Sequence, residues 1–359
     1  MKSPFSRRDF LKVSGMALGR MALPTFLPGL SDFDDSNLLR IATDELPVRR
    51  EPTDESDIVR MLHRDDLVHY YDLVKAGEPK RNPYWYRVWG GFIHRGRLHR
   101  VKTLYNVAEL VPEGTRRLAE VTVPFTQPWR NTKSFGWEQL KPPLYYGSVH
   151  WVDQLAAEGP DGTPEWYRIF DELDSNVPYY VRAVHLRMLP PEMLEPISPD
   201  IPFDQKKIEV NLTTQILTAY EAGKIVFQTN VSSGIPGGGA SGDRGISTTT
   251  PSGSFSIIDK YPSKHMGNSY FDVGKRGNLL ADADGYVLPG IPWSCFFTEV
   301  GHAFHGTYWH ENFGTEMSHG CVNMRSNEAN WIFRWARPPH TAQAISNHTT
   351  AGTQVEIYH

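Results

Sequence analysis

The feature that most constrains the fold is an internal repeat in the first half of the chain. Matching residues recur at an offset of 81 positions without a gap. The pairs are Val68-His69 with Val149-His150, Asp72 with Asp153, Ala76 with Ala157, Pro79 with Pro160, Pro83 with Pro164, and Trp85-Tyr86-Arg87-Val88 with Trp166-Tyr167-Arg168-Ile169. A fixed period predicts two copies of one structural unit. We therefore expect two small modules, at residues 37–105 and 106–190.

Short β-prone runs separated by polar turns predict that each copy is a small β-barrel. In the first copy these runs are Ile58–Leu62, Leu67–Tyr71 and Trp85–Trp89. The whole chain contains 10 Trp, 16 Tyr and 27 Pro, which favour strands and turns. We predict a mainly β protein with one short helix at Asn327–Trp335, capped by Ser326.

A proline-rich segment separates the repeat from the rest of the chain. Five prolines fall between positions 190 and 202, which predicts a semi-rigid extended linker at 191–204. A third domain, 205–359, follows with a strand at Ile208–Leu212 and a hairpin at Gln215–Phe227. The glycine-rich Pro236–Gly245 lacks the Gly-Lys-Ser/Thr of a phosphate loop, so we expect a mobile surface loop there.

The first 36 residues have the pattern of an export signal. Ser6-Arg7-Arg8-Asp9-Phe10-Leu11-Lys12 matches the twin-arginine signature, and an apolar stretch follows. Arg20 and Pro24 interrupt that stretch, which is too short for a comfortable membrane span. We expect export by the twin-arginine machinery to the cell envelope, in the periplasm or at the outer face of the cytoplasmic membrane. The segment is either cleaved or retained as a membrane anchor.

Charge and cysteine content exclude two classes of protein. The net charge of -4 argues against a nucleic-acid-binding protein, which normally carries a basic face. Two cysteines, Cys295 and Cys321, are too few for a disulfide framework. Cys295 lies in an apolar strand and is expected to be a buried hydrophobic residue. A Cys295–Cys321 disulfide is the alternative, and it would block a reactive thiol.

Cys321 lies in the segment that carries chemistry. His305-Gly306-Thr307-Tyr308-Trp309 precedes Ser318-His319-Gly320-Cys321-Val322-Asn323-Met324-Arg325, between an apolar strand and the helix. A thiol is mostly protonated at neutral pH, and a nearby imidazole can take its proton to form a thiolate–imidazolium pair. The amides of Gly320 and Cys321 are candidates for an oxyanion pocket. Asn323 would orient an imidazole or bind substrate.

This segment resembles the L,D-transpeptidase catalytic family. The family pattern is His-Gly, about a dozen residues, then Ser/Thr-His-Gly-Cys-x-Asn/Arg, and 12 residues lie between His305 and Ser318. Thr250–Phe255 and Gly223-Lys224 also match, so the resemblance covers about 205–340. It implies a β-sandwich catalytic domain that acts on peptidoglycan stem peptides.

The resemblance also implies roles for individual residues. Cys321 would be the nucleophile and His305 the base, while His319 would share that role or donate to the oxyanion. Gly306 stands where some members carry Ser. The other residues expected to bind substrate or shape the site are Ser318, Gly320, Asn323, Tyr308 and Arg325, the last as a partner for a substrate carboxylate.

The implied reaction is a two-step acyl transfer without a cofactor. Cys321 would form a thioester with the third residue of a tetrapeptide stem and release D-Ala, and a neighbouring amine would complete a 3→3 cross-link. Water as acceptor would give an L,D-carboxypeptidase, and a protein acceptor an anchoring transferase. The spacing of the histidines fits no common zinc site, so no metal is expected. His302 and His310 are expected at the surface or the rim.

The repeated modules resemble bacterial Src-homology-3-like domains. Leu46–Arg49 and Trp85–Ile93 carry the likeness in the first copy, and the second copy lacks the equivalent of Gly90-Gly91. Family members often bind cell-wall peptide, so the modules would either bind the wall or only position the catalytic domain. A non-catalytic wall-binding protein is therefore the remaining alternative.

Overall fold

Strands dominate the computed structural model, which confirms the expected mainly β class. It describes residues 37–80, 82–156, 158–170, 178–237, 240–241, 246–267, 287–341 and 343–359. The export signal and most of the glycine-rich segment lie outside these ranges. Within them, no helix combines the length and apolar character needed to cross a membrane.

The first copy of the repeat folds into a seven-stranded sheet in the order β3-β2-β6-β5-β4-β1-β7. Its strands are β1 (Leu38–Ile41), β2 (Glu45–Arg49), β3 (Ile58–His63), β4 (Leu67–Lys75), β5 (Tyr84–Val88), β6 (Gly91–His94) and β7 (Leu98–Val101), with a 3-10 turn at Arg95–Arg97. Alternating residues of β1, β2 and β5 fill a core of their own. We call residues 38–101 the first module.

The second copy forms another seven-stranded sheet in the order β11-β10-β15-β14-β13-β8-β16. Its strands are β8 (Arg117–Val121), β9 (Phe125–Thr126), β10 (Trp129–Thr132), β11 (Gly136–Gln139), β12 (Leu144–Tyr145), β13 (Val149–Ala156), β14 (Trp166–Phe170), β15 (Tyr179–Arg182) and β16 (Leu186–Met188), with a 3-10 turn at Ala183–His185. Strands β9 and β12 pair separately. When β8 is matched to β1, β10 to β2 and β13 to β4, the strand order of the two sheets is the same.

The carboxyl-terminal region contains two five-stranded sheets and one α-helix. Its elements are β17 (Lys206–Asn211), β18 (Ile216–Glu221), β19 (Lys224–Asn230), β20 (Ala240–Ser241), β21 (Ile246–Ser247), β22 (Gly253–Ser256), β23 (Asp259–Gly267), β24 (Val287–Phe296), β25 (Ala303–Gly306), β26 (Val322–Met324), α1 (Ser326–Trp335), β27 (Asn347–His348) and β28 (Gln354–Tyr358). The sheet orders are β19-β18-β17-β28-β22 and β26-β25-β24-β23-β27, and β20 pairs with β21. Both sheets and α1 bury side chains in one shared core.

Helix α1 begins one residue earlier than expected. It spans Ser326–Trp335, and Arg325 occupies the N-cap position without a side-chain hydrogen bond, so Ser326 is not the cap. At the other end, the buried Lys206 ammonium donates to the Trp335 carbonyl at 2.9 Å, and the buried Lys260 ammonium donates to the Ala336 carbonyl at 2.8 Å. Cations at this end complement the helix dipole. Burial lowers the pKa of both lysines to about 8.

The proline-rich segment is docked on the catalytic region and is not an extended spacer. Two 3-10 turns, Pro191–Met193 and Phe203–Gln205, bracket it. Asn330 Nδ2 donates to the Met193 carbonyl at 2.9 Å, and Arg334 Nε donates to the Glu195 carbonyl at 2.7 Å. Met193, Leu194 and Ile197 also pack on the core beneath α1. Apolar residues between the prolines therefore favour burial over extension.

The two modules and the catalytic region share buried surface. Leu118, Val149, Trp151 and Leu189 of the second module belong to the catalytic core. A separate apolar cluster joins all three parts, and its buried members are Ala42, Tyr145, Leu288, Ile291, Tyr308 and Trp309. Arg40, which is 0% exposed, lies beside this cluster with its guanidinium 3.9 Å from the centre of the Tyr145 ring. The stabilities of the two modules and of the catalytic region are therefore expected to be coupled.

Buried histidines predict acid sensitivity. Burial lowers the pKa of His99, His305 and His340 to about 4 and that of His310 to about 3. Unfolded histidine keeps a pKa near 6.5, so between pH 6.5 and 4 the unfolded state binds more protons than the folded state. The free energy of unfolding should fall as pH falls through this range. Urea unfolding at stepped pH would measure it.

A matched pair of variants tests the cause. His340→Phe keeps a ring against Phe333, whose centroid lies 5.1 Å away, and should make the pH dependence shallower. Ile332→Val removes one buried methylene group and no titratable side chain, so it should lower stability and leave the slope unchanged. Equal slopes in the two variants would contradict the assignment to buried histidines.

Candidate active site

Parallel pairing of β25 and β26 positions the cysteine. Phe304 lies opposite Val322 and His305 opposite Asn323, so Cys321 enters the sheet beside Ala303. The Cys321 thiol points to the Gly301 carbonyl, with Sγ 3.6 Å from the oxygen. Burial raises the pKa of Cys321 to about 11, and the Ala303 amide, which faces the sulfur, partly opposes this shift.

His305 is buried on the neighbouring strand, and one of its ring nitrogens is engaged in a hydrogen bond. Its Nδ1 lies 2.9 Å from the Gly306 carbonyl oxygen. A carbonyl only accepts hydrogen bonds, so Nδ1 carries the proton and Nε2 is left as the unprotonated, basic nitrogen. The Trp309 ring packs against the imidazole, with centroids 5.8 Å apart. Burial lowers the pKa of His305 to about 4.

These two pKa values favour a neutral thiol and a neutral imidazole in the free protein. A thiolate–imidazolium pair would require the imidazole to be more basic than the thiol, whereas burial moves the two pKa values in the opposite directions. The thiolate–imidazolium pair expected from the sequence remains a prediction, and the pH dependence of Cys321 alkylation tests it.

A tight turn presents Cys321. Ser318 Oγ donates to the Cys321 carbonyl and accepts from the Gly320 amide at 3.2 Å. Gly320 has a φ of +109°, and a Cβ at this position would lie 2.7 Å from the His302 ring. Only glycine fits both constraints. The Ser318 hydroxyl and the Gly320 amide are thus engaged within the turn itself.

His302 and His310 are buried, and the expectation that they lie at the surface or the rim is wrong. The His302 ring packs on Gly320, and its Nδ1 lies 3.0 Å from Thr298 Oγ1. His310 lies on the segment between β25 and Ser318, residues 307–317, which we call the crossover loop. Its Nε2 lies 2.9 Å from the Asn323 side-chain amide. Asn323 is fully buried, and the imidazole that its side chain contacts is that of His310.

A second segment supports the turn from the opposite side. Ser232 exchanges both backbone hydrogen bonds with Asn323, and the Ile235 amide donates to the Ser318 carbonyl at 3.0 Å. Thr250 Oγ1 donates to the Gly320 carbonyl and accepts from the Gly234 amide, both at 2.8 Å. Sequence reasoning missed Ser232 and Gly234. The sequence signal for this contact was the Thr250–Phe255 motif, but the motif does not indicate which residues Thr250 would contact.

Two residues expected to bind substrate have other partners. Tyr308 is 0% exposed, its hydroxyl donates to the Pro289 carbonyl at 2.9 Å, and its ring stacks on Tyr145 of the second module. It presents no surface to a ligand. Arg325 pairs with Glu328 at 3.2 Å, and its guanidinium lies 4.5 Å from the Phe313 ring centre.

The other cysteine and the second motif histidine lie in different environments. Cys295 is fully buried in the core, where burial raises its pKa to about 12, and both cysteines are free thiols. This is the environment of a small hydrophobic residue. His319 is partly buried, which lowers its pKa below the ordinary value.

Comparison with known proteins places this region in a family. Residues 205–357 match the YkuD family model, which describes an L,D-transpeptidase catalytic domain. No curated protein matches the chain. The matched residues include His305, Gly320 and Cys321.

Several solved structures are similar over part of their length. An Enterococcus faecium L,D-transpeptidase mutant is 20% identical with a TM-score of 0.31, covering 43% of this chain and 50% of that chain. One from Xylanimonas cellulosilytica is 23% identical with a TM-score of 0.28, covering 44% and 62%. One from Mycobacterium smegmatis is 15% identical with a TM-score of 0.32, covering 61% and 91%. The chain thus spans about half of the Enterococcus protein.

The pKa values predict how Cys321 reacts with iodoacetamide. Since only the thiolate is alkylated and the thiol pKa is about 11, the rate should rise about tenfold per pH unit from pH 6 to 10. Mass spectrometry would follow the adduct, with Cys321→Ala as the control for Cys295. A rate that is already constant from pH 5 upward would indicate the ion pair instead.

The packing of His302 on Gly320 predicts a graded stability loss. Gly320→Ala should lower the free energy of unfolding by more than the roughly 1–3 kcal/mol typical of a strained backbone, since the new methyl also meets the ring. Gly301→Ala is the matched control, because its φ is +114° and no atom lies within 4 Å of its Cβ position. Urea unfolding should show the larger loss for Gly320→Ala, and adding His302→Ala should recover the difference. Equal losses would exclude the steric contact.

Proposed function

We propose that the chain is an exported peptidoglycan L,D-transpeptidase whose nucleophile is Cys321 and whose base is His305. The observation that carries the proposal is the arrangement around β25 and β26. A thiol sits in a glycine turn beside a strand whose histidine keeps Nε2 unprotonated through the Gly306 carbonyl. The family match over residues 205–357 supports the same assignment.

The proposed acylation begins with the neutral pair. His305 Nε2 takes the thiol proton as Cys321 Sγ attacks the carbonyl of the third residue of a tetrapeptide stem. The tetrahedral intermediate collapses to a thioester, and the imidazolium returns the proton to the departing D-Ala amine. Coupling proton transfer to attack avoids a buried charge pair before substrate arrives.

Deacylation reverses these roles. His305 removes a proton from the side-chain amine of a neighbouring stem as that amine attacks the thioester. The C–S bond then breaks, the imidazolium returns the proton to the departing Cys321 thiolate, and the product is a 3→3 cross-link. The Cys321 amide is the proposed oxyanion donor, because the Gly320 amide already donates to Ser318 Oγ. His319, partly buried two residues before Cys321, is a further candidate donor to the oxyanion.

The same nucleophile serves a second candidate function. Water as acceptor would make the protein an L,D-carboxypeptidase, and this differs from cross-linking only in access to the thioester. Because Cys321 is only half-buried, we propose that bound acceptor peptide covers the thioester and excludes water. Export by the twin-arginine machinery, proposed from the amino-terminal sequence, would place either activity in the cell envelope.

The test is product analysis with disaccharide-tetrapeptide. Mass spectrometry should detect a dimer that has lost one D-Ala. His305→Gln removes the proposed base and should reduce the rate of dimer formation by roughly a hundredfold or more. Cys321→Ala should form no product. Cys295→Ala, which removes the other cysteine, should retain the activity.

The products separate the alternatives. Tripeptide without dimer would favour the carboxypeptidase. Activity that survives Cys321→Ala would exclude the proposed nucleophile. Wild-type protein that forms neither product, and no adduct with a carbapenem, would favour a non-catalytic wall-binding protein.

A further inference from the structure

The crossover loop is held from outside the catalytic region. Three arginines of the first module, Arg40, Arg95 and Arg100, contact the outer side of this loop. We infer that the first module is a positioning element of the active site and acts through the crossover loop. The inference rests on the proposed function, because it concerns the rate at which Cys321 is acylated.

The Arg40 contact is buried. Its Nη2 donates to the Tyr308 carbonyl at 3.0 Å, and its Nη1 pairs with Asp65 at 3.0 Å. The guanidinium also lies on the Tyr145 ring, which in turn stacks on Tyr308. A buried charge with a carboxylate partner and a carbonyl acceptor holds its geometry tightly, since losing either partner leaves that charge unsatisfied. The start of the crossover loop is thus fixed to both modules.

Two further contacts fix the middle of the loop. Arg100 Nη2 donates to Glu311 Oε2 at 3.0 Å, and His99 Nε2 lies 3.6 Å from Glu311 Oε1. The Glu311 side chain is only 14% exposed, although its partner Arg100 is 53% exposed. Arg95 Nη2 donates to the Phe313 carbonyl at 3.2 Å. The first module therefore contacts the loop at three points along its length.

The inner side of the same loop contacts His305 and a residue close to Cys321. Trp309 packs on the His305 ring, and His310 bonds to Asn323, two residues after Cys321. The Asn312 carbonyl accepts from Ser232 Oγ at 2.9 Å. Tyr308, Glu311 and Phe313 thus contact the first module, and the residues between them contact the site and its support. A shift of the outer contacts would consequently move both the base and the nucleophile.

These contacts should affect rate more than stability. An ion pair with one exposed partner contributes little to folding, typically under about 1 kcal/mol. Catalysis depends more steeply on position, because a displacement near 1 Å can cost up to about a hundredfold in rate. Arg100 is therefore an informative residue, and Arg95, which reaches the loop through one hydrogen bond to a main-chain carbonyl, is a second. Replacing the buried Arg40 would leave Asp65 without this partner and should destabilise the fold.

The experiment compares the acylation rates of full-length variants. Cys321 is acylated with a carbapenem, intact mass spectrometry follows the adduct, and urea unfolding is measured in parallel. Arg95→Ala and Arg100→Ala should each acylate roughly tenfold more slowly with little change in the unfolding midpoint. Arg87→Ala is the matched control, because Arg87 pairs with Asp72 on the same module away from the loop.

Further variants test whether Arg100 acts through Glu311. The double variant Arg100→Ala/Glu311→Gln should be no slower than Arg100→Ala alone, because one shared contact is lost in both. Arg100→Lys keeps a cation and should recover most of the rate. Wild-type acylation rates in both Arg95→Ala and Arg100→Ala would overturn the inference.

A second readout separates this inference from the proposed function. If wild-type protein forms no carbapenem adduct, the proposed function fails while the positioning role is still measurable. Hydrogen exchange of the amides of residues 307–317 should then be faster in Arg95→Ala and Arg100→Ala than in Arg87→Ala. Unchanged exchange in this loop would overturn the positioning role on its own.

Discussion

The site depends on the parallel pairing of two very short strands, β25 and β26. Antiparallel strands can be joined by two residues, but parallel neighbours need a connection of roughly a dozen or more. Here the connection runs from residue 307 to residue 321, directly between the end of β25 and the start of β26. The spacing between His305 and Cys321 therefore has a geometric origin, since a much shorter crossover would not allow the two residues to enter the sheet from the same end.

Such a crossover cannot hold its shape alone, and the protein supports it from several elements. Ser232 supports it from within the catalytic region, and the first module supports it from outside. The shared apolar cluster around Tyr308 and Trp309 packs the modules against the catalytic region. Of the two alternatives for these modules, wall binding or positioning, the contacts to the crossover loop support positioning. Binding of a wall ligand would depend on the exposed surface of the modules.

Much of the fold could be predicted because local patterns determine it. The repeat corresponds to two sheets with the same strand order, and the runs at Ile58, Leu67 and Trp85 are strands.

The burial of individual side chains was harder to predict. His302, His310 and Tyr308 carry polar atoms that suggested exposure. His310 and Tyr308 instead bond to buried partners 13 and 19 positions away in the sequence, and His302 bonds to the nearby Thr298 and packs on Gly320. The prediction of an extended linker was wrong because proline content indicates chain stiffness. It does not indicate that the apolar residues between the prolines pack on the core. Sequence spacing places His305 on β25 and Cys321 directly before its parallel neighbour β26, while the support from Ser232, Thr250 and the first module depends on long-range contacts.

The partner that orients His305 is a main-chain oxygen, that of Gly306. In a serine-protease-like triad the equivalent partner is a carboxylate side chain, which a single substitution can delete. Here every amino acid at position 306 would supply the same carbonyl, so no codon change can remove it directly. Substitutions at position 306 would accordingly test the tolerance for volume beside Pro292 and Ser326 and would leave the carbonyl that accepts from His305 in place. Only backbone chemistry, such as an ester in place of the amide, would alter that acceptor.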